Sequence, residues 1–377
     1  MFTTRHKTII VSVINDLATD QRVLRTCSVL NEHGFDVILF GRELKNSPSV
    51  THLPYKIKRI KMLFTKGPLF YFFFNFRLYF YLLFNKADAL FANDLDTLWA
   101  NYCASKFKKI SLIYDSHEIF CEVPELQNTT LKKKIWLRLE KSIVPKLKYC
   151  ITVNQSIANY FEEKYKTHFI VVRNIPTLPQ NFKLKPKQQL GITTNKKILI
   201  LQGAGINIDR GAEELVAAMQ FVTGAHLFII GGGDVFPNLK KLLTELNLTD
   251  KITIKDKMSK SELLQFTYNA DMGISIDKDT NLNYHFSLPN KIFDYIQAGL
   301  PILSSSLPEI KNIITHYNLG CFIDTHEPKH IAEKINLMLA SPDYALWKQN
   351  TLKVNQENNW ENEKKQLSEL LEIVIKN

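Results

Sequence analysis

Two blocks of alternating strand-like and helix-like segments, one after the other, constrain this chain more than any other feature of its sequence. In the first block, apolar runs that read as strands lie at Thr8–Ile14, Asp36–Phe40, Ala89–Ala92, Ser111–Tyr114 and Cys150–Val153. Helix-period segments lie between most of them, among them Arg22–Glu32, Leu95–Phe107 and Ile135–Leu147. Such alternation predicts a doubly wound, mostly parallel sheet. After Arg173-Asn174-Ile175-Pro176 the pattern lapses into TLPQNFKLKPKQQLG, rich in Pro, Lys and Gln, which reads as an interdomain linker. A second alternation follows, with strands at Ile198–Leu201, His226–Ile230, Ile252–Ile254, Met272–Ile276 and Ile302–Ser304. Its helices are expected at Ala212–Met219, Ser261–Tyr268, Asn290–Ala298 and Pro308–His316. The fold class is therefore α/β, with two Rossmann-like doubly wound domains facing a cleft, residues 1–175 and 176–357. Residues 358–377 form an amphipathic helix whose apolar stripe is Leu367, Leu370, Leu371 and Ile375.

The length of 377 residues suits two hydrophobic cores better than one. A net charge of +11 suggests an anionic partner. The five cysteines are scattered, with no C-x-x-C spacing, so neither a disulfide framework nor a zinc site is supported and a reducing compartment fits. The apolar run Ile9–Ile14 is too short for a signal-peptide core and reads as a buried strand. The most apolar segment, Leu69–Phe84, is shorter than a bilayer span of about 20 residues and contains Asn75 and Arg77. The aromatics cluster in that one segment instead of interleaving with Lys and Arg, which argues against nucleic acid as a partner.

The strongest local signal is SLPNKIFDYIQAGLPIL, Ser287 to Leu303. Ser287 is expected to cap a helix, with Leu288 and Pro289 leading into its first turn and Gly299 stopping it. Free N–H groups at such a helix start can hold a diphosphate, and Lys291 adds a charge there. Asp294, one turn on, is placed to accept hydrogen bonds from a ribose. In LQGAGINIDRGAEEL, Gly203 and Gly205 permit close backbone approach, and Arg210 can pair with phosphate oxygens. The spacing is not G-x-G-x-x-G, so a nicotinamide-type fingerprint fails. In IIGGGD, three glycines after a strand let a ligand or another backbone come close. The first half carries polar clusters at three strand ends: Asp16, Asp20, Arg22 and Arg25; Asp94 and Asp96; and Asp115, His117 and Glu118. Together they point to one cleft. Two D-x-D strings, Asp94-Leu95-Asp96 and Asp277-Lys278-Asp279, could suggest a divalent metal. Lys278 opposes a cation, and fixed positive groups make one unnecessary, so no metal is expected.

These landmarks, in this order, resemble the family 4 glycosyltransferases of the GT-B fold, especially bacterial members of surface-polysaccharide pathways. The motifs are NDLATDQRVLR, ADALFANDLDTL, LIYDSHEIF, VVRNIP, GAGINIDRGAEEL, IIGGGD and SLPNKIFDYIQAGLPIL followed by LPEI. The resemblance implies that Arg210 and Lys291 bind a donor diphosphate and Asp294 the ribose. It places the Gly231–Gly233 turn, with Gly232 and Gly233 as binding residues, and the Lys257-Met258 loop at the border of the nucleoside. It assigns His117 to the transferred sugar and the last helix, around Trp360, to the N-terminal domain. Asp16, Arg22, Asp94, Asp96 and Glu118 fall on the acceptor side. Three positions depart from the family pattern: Phe286 stands where the first acid of E-x7-E belongs, Ala204 replaces an arginine, and Asn15-Asp16 replaces a glycine pair.

The implied reaction is transfer of a sugar from a UDP- or GDP-sugar to a hydroxyl of a glycan or lipid-linked acceptor, with retention, in cell-surface polysaccharide synthesis. The expected partners are that donor, that acceptor and an anionic membrane surface. The expected location is cytoplasmic, peripheral on the inner face of the cytoplasmic membrane. No cofactor is expected. A sugar-nucleotide 2-epimerase on the same fold, and a degenerate binding module, stand as alternatives.

Overall fold

A computed structural model of the protein describes residues 6–376 apart from residues 19, 46, 48, 51, 52, 128, 180 and 181. Residues 1–5 and 377, which the sequence reading places in the N-terminal half and the last helix, lie outside the described residues. The chain divides into two compact units, one of Met1–Asn174 with Glu361–Asn377 and one of Ile175–Trp360.

The first unit is built on seven strands: β1 (Lys7–Asp16), β2 (Phe35–Arg42), β3 (Lys56–Ile60), β4 (Ala89–Asn93), β5 (Ser111–Ser116), β6 (Tyr149–Thr152) and β7 (Ile170–Val171). Their order is β3-β2-β1-β4-β5-β6-β7, and every pairing is parallel. The second unit has β8 (Lys197–Gly203), β9 (Ala225–Gly231), β10 (Ile252–Asp256), β11 (Met272–Ser275), β12 (Ile302–Ser305) and β13 (Gly320–Ile323). It is also parallel throughout, in the order β10-β9-β8-β11-β12-β13. Counted within the unit that order is 3-2-1-4-5-6, the Rossmann order, which reverses between β8 and β11. The first sheet reverses likewise between β1 and β4. Ligands of open parallel sheets bind outside the carboxyl ends at such reversals, so the residues just after β1, β4, β8 and β11 are the ones to inspect.

Strand alternation explains how each sheet is covered on both faces. In β8, Leu199 and Leu201 join the apolar layer that holds Leu215, Leu227 and Ile274. Ile198 and Ile200 face the other layer, with Phe228, Tyr295 and Ile302. The final helix, Trp360–Lys376, belongs to the first unit from Glu361 on, with Trp360 counted in the second, and is fixed in the first by Glu363. That carboxylate accepts from the Arg173 backbone N–H at 2.7 Å and from Nε of its guanidinium at 2.9 Å. Among the described residues, no helix is long and apolar enough to cross a membrane.

Candidate functional site

Two polar centres sit at the two sheet reversals, one in each unit. In the second unit, β11 runs into Asp277, which is fully buried. Its Oδ2 accepts from Arg210 Nη1 at 3.1 Å and its Oδ1 from Lys291 Nζ at 3.3 Å. Arg210 reaches it from the loop after β8, and Lys291 from the second residue of the helix Asn290–Gln297. The Arg210 guanidinium lies 4.0 Å from the centre of the Tyr284 ring, a cation–π contact that holds its plane. Burial pushes the Lys291 ammonium below the ordinary lysine range, and Arg210 pushes the same way against the pull of Asp277. Arg210 Nε and Ser287 Oγ are buried and have no hydrogen-bond partner. Two cations thus share one buried anion, with a donor and a hydroxyl left over. The arrangement offers more positive charge and hydrogen bonding than the protein itself uses, which an anion would take up.

The structure corrects the start of that helix. Ser287 does not cap it: its backbone N–H turns back to the Tyr284 carbonyl at 3.0 Å, and Pro289 is the capping position, with extended backbone (ψ 139°) and no side-chain cap. Pro289 fixes φ, and the chain stays extended one residue beyond the expected first turn. Leu288 is half-buried against the apolar layer below.

Asp294 is held in place by neighbours from two other elements. Its Oδ2 accepts from Gln202 Nε2 at 2.8 Å, and Lys260 Nζ donates to Oδ1. Thr267 in turn donates to Gln202 Oε1 at 2.6 Å. Both carboxylate oxygens are therefore engaged by this chain, in a buried network between β8 and the helix Lys260–Tyr268. In the glycine run the close approach of another backbone is visible directly. A Cβ on Gly231, at φ +147°, would lie 1.8 Å from the Gly203 carbonyl oxygen, and one on Gly233 would lie 2.0 Å from that of Ile206. These glycines let two loops pack on each other. A Cβ on Gly232 would meet the Lys257 side chain at 2.6 Å, while Met258 packs on the apolar layer. Gly205 is unhindered, with no neighbour nearer than 3.8 Å. Gly211 carries a requirement the sequence reading missed: at φ +73° it starts the helix Ala212–Ala218, and its Cβ would strike the Ile276 carbonyl oxygen at 2.3 Å. That contact brings Arg210 beside Asp277.

The second D-x-D string does not converge on one point. Asp277 takes the two cations, Lys278 Nζ pairs with Glu214 at 2.5 Å, and Asp279 bonds His285 Nδ1 at 2.8 Å.

In the first unit the centre is His117, just past β5. Its Nδ1 lies 3.1 Å from Asp94 Oδ2, and its backbone N–H donates to Asp94 Oδ1 at 2.9 Å. Its Nε2 is 3.3 Å from Asp115 Oδ2, an ion-pair distance without good hydrogen-bond geometry. Burial pushes the imidazole down, but the carboxylates of Asp94 and Asp115 outweigh it and raise it well above the ordinary histidine range. The two carboxylates thus favour the protonated ring, a hydrogen-bond donor instead of a base. Burial would push Asp115 up, yet Arg22 and His117 hold it well below the carboxylate range. Arg22 grips Asp115 bidentately, Nε to Oδ2 at 2.9 Å and Nη2 to Oδ1 at 2.7 Å, and donates from Nη1 to the Val172 carbonyl at 2.7 Å. Asp94 has φ 60° and ψ 165°, a conformation almost confined to glycine, costing about 1 to 3 kcal/mol. The strain aims its carboxylate at His117.

The remaining acceptor-side residues divide between this centre, where Asp96 feels the charges of Asp94, Glu118 and His117, and the end of β1. Asp16 bonds Arg59 at 3.2 Å and the Ala18 N–H at 3.1 Å. Asp20 caps the helix Gln21–Glu32. Asp96 is buried, and that burial, with the charges of Asp94 and Glu118, pushes its carboxyl well above the ordinary range. Arg22 is the anchor of Asp115, and Asp16 has partners of its own at the end of β1.

The raised histidine sets a pH expectation. A group whose folded value is raised stabilises the protein fully below its unfolded value, about 6.5, and that contribution is lost as pH rises through the folded value. The stability difference between wild type and His117→Gln should therefore be larger at mildly acidic pH and shrink on the alkaline side. Urea melts of both proteins across pH check this; a difference that grows with pH contradicts it.

Comparison with known proteins follows the same division. Residues 20–177 match the family described as Glycosyltransferase Family 4, and residues 182–365 the one described as Glycosyl transferases group 1. Together these matches cover nearly the whole chain. The protein belongs to the family 4 glycosyltransferases of the GT-B fold. Solved structures agree on the fold of this glycosyltransferase. Sucrose-phosphate synthase from Thermosynechococcus elongatus superposes with a TM-score of 0.81 at 16% identity, over 98% of this chain and 99% of that one. A glycosyltransferase from Rickettsia africae ESF-5 gives 0.75 at 16% identity, over 99% and 100%. Anabaena HepE, in complex with UDP and glucose, gives 0.73 at 15% identity, over 97% and 100%. A curated relative, chitobiosyldiphosphodolichol beta-mannosyltransferase from Debaryomyces hansenii, is 20% identical over 255 residues, 60% of this chain and 53% of the relative. The chain thus spans about half the length of that relative.

Proposed function

We propose that this glycosyltransferase moves a sugar from a nucleotide-diphosphate donor, UDP- or GDP-linked, to a hydroxyl of a glycan or lipid-linked acceptor, with retention, in cell-surface polysaccharide synthesis. The observation that carries this reading is the pair Arg210 and Lys291 held on the single buried anion Asp277, with Arg210 Nε left unpartnered. The departing nucleotide diphosphate gathers negative charge as its bond to the anomeric carbon breaks. Two fixed cations in a buried setting stabilise that charge without reorganising. Asp294, oriented by Gln202 and Lys260, keeps a second acceptor site on each oxygen for the ribose hydroxyls. His117, as an imidazolium, serves the transferred sugar as a hydrogen-bond donor. Within that reading the chemistry proceeds without a metal, since the charge a cation would supply is present as Arg210 and Lys291. HepE, a protein of the same fold, holds UDP and glucose, which supports a UDP-sugar as the first donor to try.

The test is an incubation of the purified protein with UDP- and GDP-sugars, with and without a lipid-linked or oligosaccharide acceptor, read by mass spectrometry. Glycosylated acceptor and free nucleotide diphosphate should form together, and EDTA should leave the rate unchanged. Conversion of the donor to an epimer in the absence of acceptor would replace this reading with epimerisation. Strict dependence on added divalent metal would overturn the metal-free route.

A further inference from the structure

The helix Gly67–Phe84 is apolar on two opposite faces, which one packing surface does not need. One face, Phe70, Phe74, Leu78 and Leu82, is buried in the first unit, where Phe74 meets Phe40 edge-on at 5.9 Å. The other face repeats at four-residue intervals: Phe72, Phe76, Phe80 and Phe84. All four are exposed, Phe84 by 81% and Phe72 by 62%. Their rings follow one another at 6.2, 4.7 and 6.1 Å, a continuous aromatic stripe along the helix. Leu63, in the approach to the helix, is 97% exposed. Isolated exposed apolar residues need no explanation, but a contiguous patch of this kind marks an interaction surface.

Charge identifies the occupant. From Leu44 to Ala87 the chain carries eight Lys or Arg residues and no Asp or Glu. Lys66 precedes the helix and Lys86 follows it, so both ends of the stripe are basic. A hollow of about 290 Å³ opens against the stripe, lined by Phe80 and Phe84 on one side and by Lys58 and Arg77 among its walls. Lys58 and Arg77 are both exposed, and Arg77 is braced by a 2.7 Å bond from Nη1 to the Lys61 carbonyl. Aromatic rings suit the boundary between headgroups and acyl chains, and flanking cations suit anionic headgroups.

We infer that this face docks on an anionic lipid bilayer, with Lys58 and Arg77 holding a lipid phosphate beside the Phe80 and Phe84 rings. The inference deepens the reading of a membrane-borne acceptor but does not rest on donor chemistry. The helix lies in the interface and does not span it: at 1.5 Å per residue it is roughly 27 Å long, and its buried face stays committed to the protein.

The experiment is flotation of the full chain with phosphatidylcholine vesicles that contain or lack phosphatidylglycerol, in the absence of any sugar donor. Wild type should float with the anionic vesicles, remain unbound with the neutral ones, and detach as salt rises. The double variant Lys58→Ser, Arg77→Ser should lose roughly tenfold or more in partitioning, since each cation near an anionic surface contributes a factor of about five. Phe76→Ser with Phe84→Ser should lose a comparable factor, because the rings supply the buried apolar area. These side chains are exposed, so far-ultraviolet dichroism should show both variants folded. Three outcomes overturn the inference: no binding to anionic vesicles at low salt, equal binding to neutral ones, or unchanged binding in the folded variants. Self-association of wild type without lipid, abolished by the phenylalanine changes, would make a second copy the occupant instead. Donor affinity in the same preparations shows whether the enzyme reading stands apart from the membrane one.

Discussion

An Arg22→Ala variant should lose about 3 to 5 kcal/mol of stability in the first unit, the largest effect expected of any single change here. Arg22 is 4% exposed and Asp115 1%, so neither charge has water to fall back on. The guanidinium fork fills both oxygens of Asp115 and a third bond goes to the Val172 carbonyl, which ties the helix after β1 to the end of β5 and to the strand at the sheet edge. Removing it leaves a buried carboxylate with His117 alone, and that carboxylate is one of the two, after Asp94, that favour the His117 charge. Urea denaturation followed by tryptophan fluorescence would measure the loss. Arg22→Lys should recover only part of it, because an ammonium cannot reproduce the bidentate geometry. A loss below about 1 kcal/mol, the range of exposed ion pairs, would contradict this account. Turnover should fall in step, as Asp115, no longer braced by the Arg22 fork, ceases to hold the His117 ring in place.

Much of this architecture is legible in the sequence, for a physical reason. The inner strands are covered on both faces, so they appear as unbroken apolar runs, and β1, β4, β8, β11 and β12 fall where those runs predict. The strands that escape are β3, β7 and β13, all towards the rims of their sheets. β3 reads KIKRI, with Lys56 and Lys58 exposed, and β7 has two residues, so neither offers an apolar run. The candidate site divides in the same way. Arg210 and Lys291 are visible because each stands in a recognisable local setting, a strand–helix loop or the first turn of a helix. Asp277 is hidden. Its neighbour in sequence, Asp279, invites a metal-binding reading, while its partners in space come from elements 67 residues before and 14 residues after it. Lys260 and Gln202, which occupy Asp294, are hidden for the same reason. Ser287 shows the opposite failure: a good capping residue type is overruled by the proline two places on.

Calorimetric titration with nucleotides tests whether Arg210 and Lys291 hold the donor diphosphate. UDP or GDP should bind the wild-type protein about tenfold or more tighter than the matching monophosphate, since only the second phosphate adds a charge-assisted contact worth roughly 1.5 to 3 kcal/mol. Arg210→Ala and Lys291→Ala should each weaken diphosphate binding roughly 10- to 150-fold by the same contact energy. The two losses should not simply add, because both side chains share Asp277 and each removal leaves the other cation more tightly held. The Lys291 ammonium, pushed below the ordinary lysine range by burial, must be protonated to bind an anion. Affinity should therefore fall with rising pH sooner than an ordinary lysine would allow, and not in Lys291→Ala. Diphosphate and monophosphate binding alike, with affinities unmoved in both variants, would contradict the account and remove Arg210 and Lys291 from the donor site.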